Sequence, residues 1–310
     1  IILIDNPLLL IKFRKSGIPT LLVNGLMSKG MENLESNRCP TLNSKRNSLF
    51  QYYKYYDLLG VQNEIDKDNF TKRGVCSDKI FVTGNMKADF NDIVVSEEEK
   101  WFLRNQLGMV DEHIILVAGS IHLNEEKLLA ETFLSIRKVL PAFRLVIVPR
   151  FMAELESIEK ALDGYSLTHL RKTEMFSLQK KPKHFDAIVV DTFGELKRLY
   201  SVGDYIYMGG SSQKKHPDAF GSHNILEPLV YKKPIFFGPY LYLYKEITDC
   251  LEKAWPGLRI KNSDELANGI IYLHSHTGVV KAIYDASFEI IKENIHSFNH
   301  NVELASRLLN

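Results

Sequence analysis

The sequence predicts an α/β protein built on two parallel, doubly wound sheets, and three observations predict it. Short apolar runs rich in Val, Ile, Leu and Phe alternate with segments of helical period along all 310 residues, the pattern of strands covered on both faces by crossover helices. Nearly every run ends in glycine or a polar residue, as strands do where they feed a helix. The polar stretch KADFNDIVVSEEEK (Lys87–Lys100) separates an earlier group of runs from a later one and reads as a linker. It sets a domain boundary near residue 95.

In chain order, PTLLVNG (Pro19–Gly25) is a strand that stops at glycine. YYDLLGVQNEIDKDNFTKRG holds a strand near Leu58–Val61 and then a short amphipathic helix, and DKIFVTGN (Asp78–Asn85) is a strand closing in Gly-Asn. EEEKWFLRNQLG is a helix with an acidic first turn, as the helix dipole favours, ending at Gly108. HIILVAGS, a helix from about Glu125 to Val139, RLVIVPR, FDAIVVD, DYIYMGG and PIFFGP complete the second group. The stretch from about Val279 to Asn310 is helical. The chain thus divides into a first domain over 1–95, a second over 96–280, and a tail over 281–310.

Composition narrows the class. Apolar residues make up 45% and charged residues 25%, ordinary globular values, and the formal net charge of +1 gives no argument for nucleic acid. Residues 1–60 carry eight Lys/Arg against four Asp/Glu, a bias that suits an acidic partner or lipid headgroups. Individual clusters such as Lys12, Arg14 and Lys15 are read first as solvated surface. Cys39, Cys76 and Cys250 are scattered without a C-x-x-C, which points to free thiols rather than a disulfide framework or zinc ribbon. No apolar run approaches the ~18 residues of a membrane-spanning helix, and no signal-peptide pattern is present. The opening IILIDNPLLL lacks Met and starts mid-pattern, so the chain reads as a piece of something longer.

Open parallel sheets bind ligands outside the carboxyl ends of their strands, so strand ends list the candidate site residues. They are Ser120 after ILVAG, Arg150 after LVIVP, Gly194 and Glu195 in DTFGEL, Ser211 after YIYMGG, and Gly221, Asn224 and Glu227 in GSHNILEP. Gly209 and Gly210 allow close backbone approach. Ser222 can cap a helix starting near Asn224, whose free N–H groups suit a phosphate, with Glu227 in its first turn within reach of ribose hydroxyls. Glu125 and Glu126 stand near the helix start after AGS. Lys87 lies beside the expected interdomain cleft. Each of these also has a plainer reading as a cap, a turn or a surface ion pair. His216, Asp218 and His223 match no strong metal template, so no metal is expected there.

Set in order, VTGNMKAD, AGSIHLNEE, LVIVPR, DTFGELKRLYSVGDYIYMGGS and SHNILEPLVYKKPIFFGP closely resemble the 3-deoxy-D-manno-octulosonic acid (Kdo) transferases of lipopolysaccharide biosynthesis. That family's usual forms are close to VTGNLKFD, AGSTHEGEE, LVPRHPER, DTMGEL with YALADVAFVGGS, and GGHNPLEPAAYGKPVLFGP. The N-terminal GIPTLLVNGLMSKG also resembles its GIPVVLVNGRLSERS. The resemblance implies a GT-B fold, two Rossmann-like domains facing a cleft, with the tail crossing back to the first. It implies an inverting, metal- and cofactor-independent glycosyltransferase that moves Kdo from CMP-Kdo to a lipid A precursor. Its place would be peripheral or monotopic, on the cytoplasmic face of the bacterial inner membrane, meeting the membrane surface through the first domain. Ser120, Arg150, Gly194, Glu195, Asn224 and Glu227 would hold CMP-Kdo, joined by Ser211 and Gly221 of the same loop, and Lys87 would stabilise donor charge.

The departures are local. The family's region ahead of this start carries a membrane-associating segment and a glutamate thought to be the general base that inverting transfer requires. Its E-T-E-x-W-P falls at IILIDNP, where Pro7 matches and both glutamates are replaced. Phe151 stands where the family has His, and the loop from Ser211 to Asn224 is longer. Two rival readings stay open: another GT-B enzyme such as a nucleotide-sugar 2-epimerase, and a truncated, non-catalytic nucleotide-binding relative.

Overall fold

Among the described residues the apolar runs pair as nine strands, every pair parallel, in two sheets. The computed structural model describes residues 7–27, 51–86, 95–178, 182, 184–212, 224–241, 244–294 and 296–309. Lys87, Gly221, His216, Asp218, Ser222, His223 and Cys39 lie outside them. The chain divides into two units, 1–89 with 292–310, and 90–291.

In the first unit β1 (Leu21–Gly25), β2 (Leu58–Val61) and β3 (Ile80–Val82) lie in that order. Their ends are tied by side chains. Asp57 Oδ2 accepts from the Thr20 N–H (2.7 Å) and hydroxyl (2.9 Å), joining the starts of β1 and β2. Helix Glu64–Lys72 begins as its sequence dictates, with Asn63 accepting from the Asp66 N–H and acidic residues in the first turn. It turns Phe70 into a core with Leu10, Met27, Tyr56, Leu59, Val61 and Ile80. Helix Pro7–Lys15 is additional to the expected elements, and it accounts for the basic cluster: Lys12, Arg14 and Lys15 form its last turn, where cations complement the dipole. Helix Ser297–Ser306 belongs to this unit. Its Asn301 packs against Gly60 of β2, so closely that a Cβ there would overlap the carboxamide. Ser297 donates to the Asn85 carbonyl at 3.0 Å.

The second unit is a six-stranded sheet of β4 (Ile114–Ile121), β5 (Phe143–Pro149), β6 (His169–Arg171), β7 (Ala187–Val189), β8 (Tyr205–Met208) and β9 (Ile235–Phe237), in the order β6-β7-β5-β4-β8-β9. β5, β7, β8 and β9 are buried along their whole length and β4 from Ile115 onward, as expected of a sheet covered on both faces. Helix Glu97–Gln106 starts at the Ser96 cap and ends before Gly108, which takes φ 69°. It therefore absorbs the last four residues of the stretch read as linker. Helix Glu125–Arg137 stops two residues short of the expected Val139. It packs on helix Ser263–Ser275, and Ser263 Oγ donates to Glu131 at 2.9 Å. β6 was not foreseen: three half-buried residues at the sheet edge carry no readable period. Cys76 and Cys250 are free thiols.

Candidate functional site

Because the strands are all parallel, their carboxyl ends share one edge. Strand order reverses direction at β4, which pairs with β5 on one side and β8 on the other. Loops leaving β4 and β8 therefore part in opposite directions, and the crevice between them is where ligands of such sheets bind. Ser120 sits at this point. Its φ is 55°, and the β4–β5 register shifts between Gly119 and Ile121, so the strand kinks as it ends. Gly209 is glycine for a steric reason: a Cβ there would overlap the Ser120 carbonyl.

The seam between the two loops is held by Glu125, which is 1% exposed. Its Oε2 accepts from the Gly210 N–H (2.7 Å) and the His122 N–H (3.0 Å). Its Oε1 accepts from the Ser212 hydroxyl (2.7 Å), the Tyr207 hydroxyl (3.0 Å) and, more weakly, the Ser212 N–H (3.4 Å). Burial and the Glu125 charge push the Tyr207 phenol well up, so it stays a donor. Ser211 is fully buried; its hydroxyl accepts from the Gly238 N–H (2.8 Å) and donates to the Met208 carbonyl. Both hydroxyl functions are thus spent on joining β8 to β9.

The other flank is open. Arg150 follows β5 and its N–H bonds the Ile121 carbonyl at 2.8 Å, one residue past Ser120. Its side chain is exposed, with the guanidinium carbon 5.7 Å from the Phe151 ring centroid, and among the described residues no carboxylate pairs with it. After β7, Gly194 takes φ 79° with open space around its Cα. Glu195 is anchored by Lys172, whose Nζ lies 2.6 Å from Oε2, and by the Thr192 hydroxyl. Burial would raise the Glu195 carboxyl, but Lys172, Thr192 and Arg198 outweigh it and hold it below the usual carboxylate value. Arg198 also pairs with Glu99.

Asn224 precedes, and Glu227 lies within, a single helical turn, Leu226–Leu229. The helix begins two residues later than expected, and just ahead of its Ile225 N-cap the Asn224 carboxamide accepts from the Leu226 N–H at 3.2 Å. The helix after Glu195 is equally short, Leu196–Leu199. A dipole argument for anion binding does not carry to four-residue helices, since aligned peptides must sum to make it. What these turns offer instead is side chains. Lys197 comes within 3.6 Å of Glu227 Oε1, which brings the 194–199 and 224–229 segments together. Burial and the Glu227 charge push Tyr244 up to about 12. They push the fully buried Tyr200 up as well, and Tyr200 packs across Gly119 of β4.

Ser120, Arg150, Gly194, Glu195, Ser211, Asn224 and Glu227 therefore all lie at the carboxyl edge of one sheet, while Lys87 and Gly221 fall outside the described residues. Met86, next to Lys87, is held by the Asn24 carboxamide of the first unit at 2.9 Å. Sequence reasoning missed Lys172 and Tyr200, neither of which carries a motif, and took Glu125 for a residue at a helix start. Among the described residues no group of three or more His, Cys, Asp or Glu is placed to hold a metal, and no helix is long and apolar enough to cross a membrane.

Parallel Rossmann-like sheets with polar ends at a switch point define the GT-B class, and solved structures agree on the fold. The C-terminal CMP-Kdo binding domain of WaaA from Acinetobacter baumannii matches with a TM-score of 0.54 and 18% identity, over 63% of this chain and 96% of that one. UDP-GlcNAc 2-epimerase from Neisseria meningitidis matches with a TM-score of 0.62 and 14% identity, over 96% of this chain and 72% of that one. The family model of 3-deoxy-D-manno-octulosonic-acid transferase (kdotransferase) matches residues 7–90. The 3-deoxy-D-manno-octulosonic acid transferase of Chlamydia trachomatis is 26% identical over 291 residues, 94% of this chain. The chain is thus similar to Kdo transferases over most of its length. It spans 63% of the length of that curated relative.

Proposed function

We propose that this chain carries the donor-binding part of a transferase that moves Kdo from CMP-Kdo to a hydroxyl of a phosphorylated lipid A precursor. The transfer inverts the anomeric centre, uses no metal, and takes place at the cytoplasmic face of the inner membrane, with the protein held peripherally. The bond between the Kdo anomeric carbon and the CMP phosphate breaks, the acceptor oxygen bonds that carbon, and its proton passes to a base. None of the candidate residues is assigned as that base.

The observation that carries this reading is the exposed Arg150 guanidinium at the switch-point edge, one residue beyond Ile121 and facing no carboxylate among the described residues. As the phosphate leaves it gains charge, and a cation at that spot stabilises it more in the transition state than in the ground state. Glu227 supplies the acceptor for ribose hydroxyls, and Lys87 supports the donor carboxylate or phosphate. The test is calorimetry with CMP and CMP-Kdo beside UDP-GlcNAc, followed by a transfer assay with the complete gene product and a lipid A precursor. Binding of cytidine nucleotides and formation of a Kdo-bearing lipid support the reading. Binding of the uridine nucleotide alone favours a 2-epimerase, the reading that the structural match over 96% of the chain would then support.

A further inference from the structure

The corner where β6 runs into helix Lys172–Ser177 breaks a local rule. Lysine is almost never buried unless its charge is paired, yet Lys172, the first residue of that helix, is 8% exposed. Its ammonium serves one partner: Nζ lies 2.5 Å and 2.6 Å from the two Glu195 carboxylate oxygens. The next residue reaches the same loop. Thr173 donates its N–H to Asp191 Oδ1 at 3.1 Å and its hydroxyl to Asp191 Oδ2. Two neighbours on one corner thus hold the first and last residues of the segment Asp191–Glu195, and the Thr192 hydroxyl bonds Glu195 from within it.

The corner is itself fixed from behind. β6 pairs with β7, with Arg171 opposite Val189. The Arg171 guanidinium grips Glu159 of helix Leu155–Gly164 through two bonds, at 2.6 Å and 2.7 Å. What it holds has little to fix its shape by packing. None of residues 191–195 is buried, and Gly194 takes φ 79° with nothing within 4 Å of where a Cβ would stand. Burial raises the Glu195 carboxyl, and Lys172 is foremost among the groups that outweigh it, so the same contact keeps that carboxylate ionised.

We propose that Lys172 and Thr173 are positioning residues: they touch no ligand, and they preset segment Asp191–Glu195 in the shape that receives one. The inference rests on reading this edge as a nucleotide site. A loop that must be ordered on binding subtracts that entropy from affinity, whereas a loop ordered beforehand does not. The short edge strand β6 then has a use, since it delivers the corner to the loop leaving β7.

The experiment measures CMP binding by calorimetry on the chain and on its Lys172→Met, Lys172→Arg, Glu195→Gln, Lys172→Met/Glu195→Gln and Thr173→Val variants, with circular dichroism to check folding. Lys172→Met should weaken CMP by about 10-fold, the scale of a hydrogen bond to a charged group left unmade. Lys172→Arg, which keeps a cation at the carboxylate, should restore most of that loss. The double variant should bind no more weakly than Glu195→Gln alone, because residues of one network couple. Thr173 is exposed, so Thr173→Val, with a smaller loss of about 3-fold, carries the test if Lys172→Met does not fold. CMP affinity unchanged in Lys172→Met, or in Thr173→Val where only that variant folds, overturns the positioning role and leaves the nucleotide site standing. Equal losses in Lys172→Met and Lys172→Arg overturn it too, since packing rather than the ion pair is then at work. Losses that add in the double variant mean that Lys172 does not act through Glu195, which also sinks the proposal. If the unaltered chain binds no CMP, the site reading falls and takes the positioning role with it.

Discussion

The two flanks of the candidate site are built in opposite ways. On the β4–β8 side a buried carboxylate takes hydrogen bonds from His122, Tyr207, Gly210 and Ser212, and both functions of the Ser211 hydroxyl are committed. On the β5–β7 side Arg150, Phe151 and Phe193 stand in solvent. The first flank is scaffold and the second is reading surface. A polar residue at a strand end is thus ambiguous until its partners are known: Glu125 and Glu227 both open helices in the sequence, yet only the second keeps a carboxylate half-exposed.

Substitutions can break that contrast, and the largest effect belongs to the scaffold. Glu125→Ala leaves a buried phenol and backbone N–H groups without their acceptor. It should lower unfolding free energy by on the order of 3 kcal/mol, the scale of hydrogen bonds to a charged group left unmade. Denaturant unfolding measures it, and a loss under half a kcal/mol would mean the carboxylate is not the clasp. Gly209→Ala follows: its methyl meets the Ser120 carbonyl, backbone rather than a flexible side chain. Overpacking of that kind costs about 1–3 kcal/mol, visible as a lower Tm together with weaker CMP binding.

On the reading surface the signs separate. Arg150→Ala and Glu227→Ala should each weaken CMP by about 1–3 kcal/mol. For the exposed Arg150, unfolding free energy should stay within about half a kcal/mol. Calorimetry that finds CMP affinity unchanged in Glu227→Ala would remove that residue from the site.

The smallest effect lies away from both flanks. Burial, then Arg144 and Arg104, lower His113 from 6.5 to about 4. Its Nδ1 accepts from the Val110 N–H at 3.2 Å, as only the neutral ring can. The folded value lies below the unfolded one, so between about 4 and 6.5 the unfolded chain binds more protons. Stability therefore falls as pH is lowered through that window. His113→Asn, which keeps an acceptor that does not titrate, should flatten the slope of unfolding free energy against pH. An unchanged slope would assign the acid sensitivity to carboxylates instead.

What could be read from the sequence follows from how local each cause is. Strands β4, β5, β7, β8 and β9 were legible because burial on both faces makes continuous apolar runs, and Ser120 and Arg150 because a strand end fixes where the next residue goes. β6 was not, since His169–Arg171 is too short for a period. The role of Glu125 was hidden because three of its donors lie 82 to 87 residues away. Lys172 was hidden because the carboxylate it fixes is 23 residues on. The expected helix dipole at Asn224 failed for a local reason: Pro228 and the left-handed Lys232 confine the helix to one turn.

The seating of Asn301 against Gly60 carries a consequence in time. About 240 residues separate them, and a ribosome adding about 5–20 residues per second needs roughly ten to fifty seconds to cover that distance. Throughout that interval the earlier strand waits with its glycine face unclosed while the whole 90–291 unit emerges and can fold behind it. The unit whose strands are made first thus receives its closing helix only after the whole 90–291 unit has been synthesised.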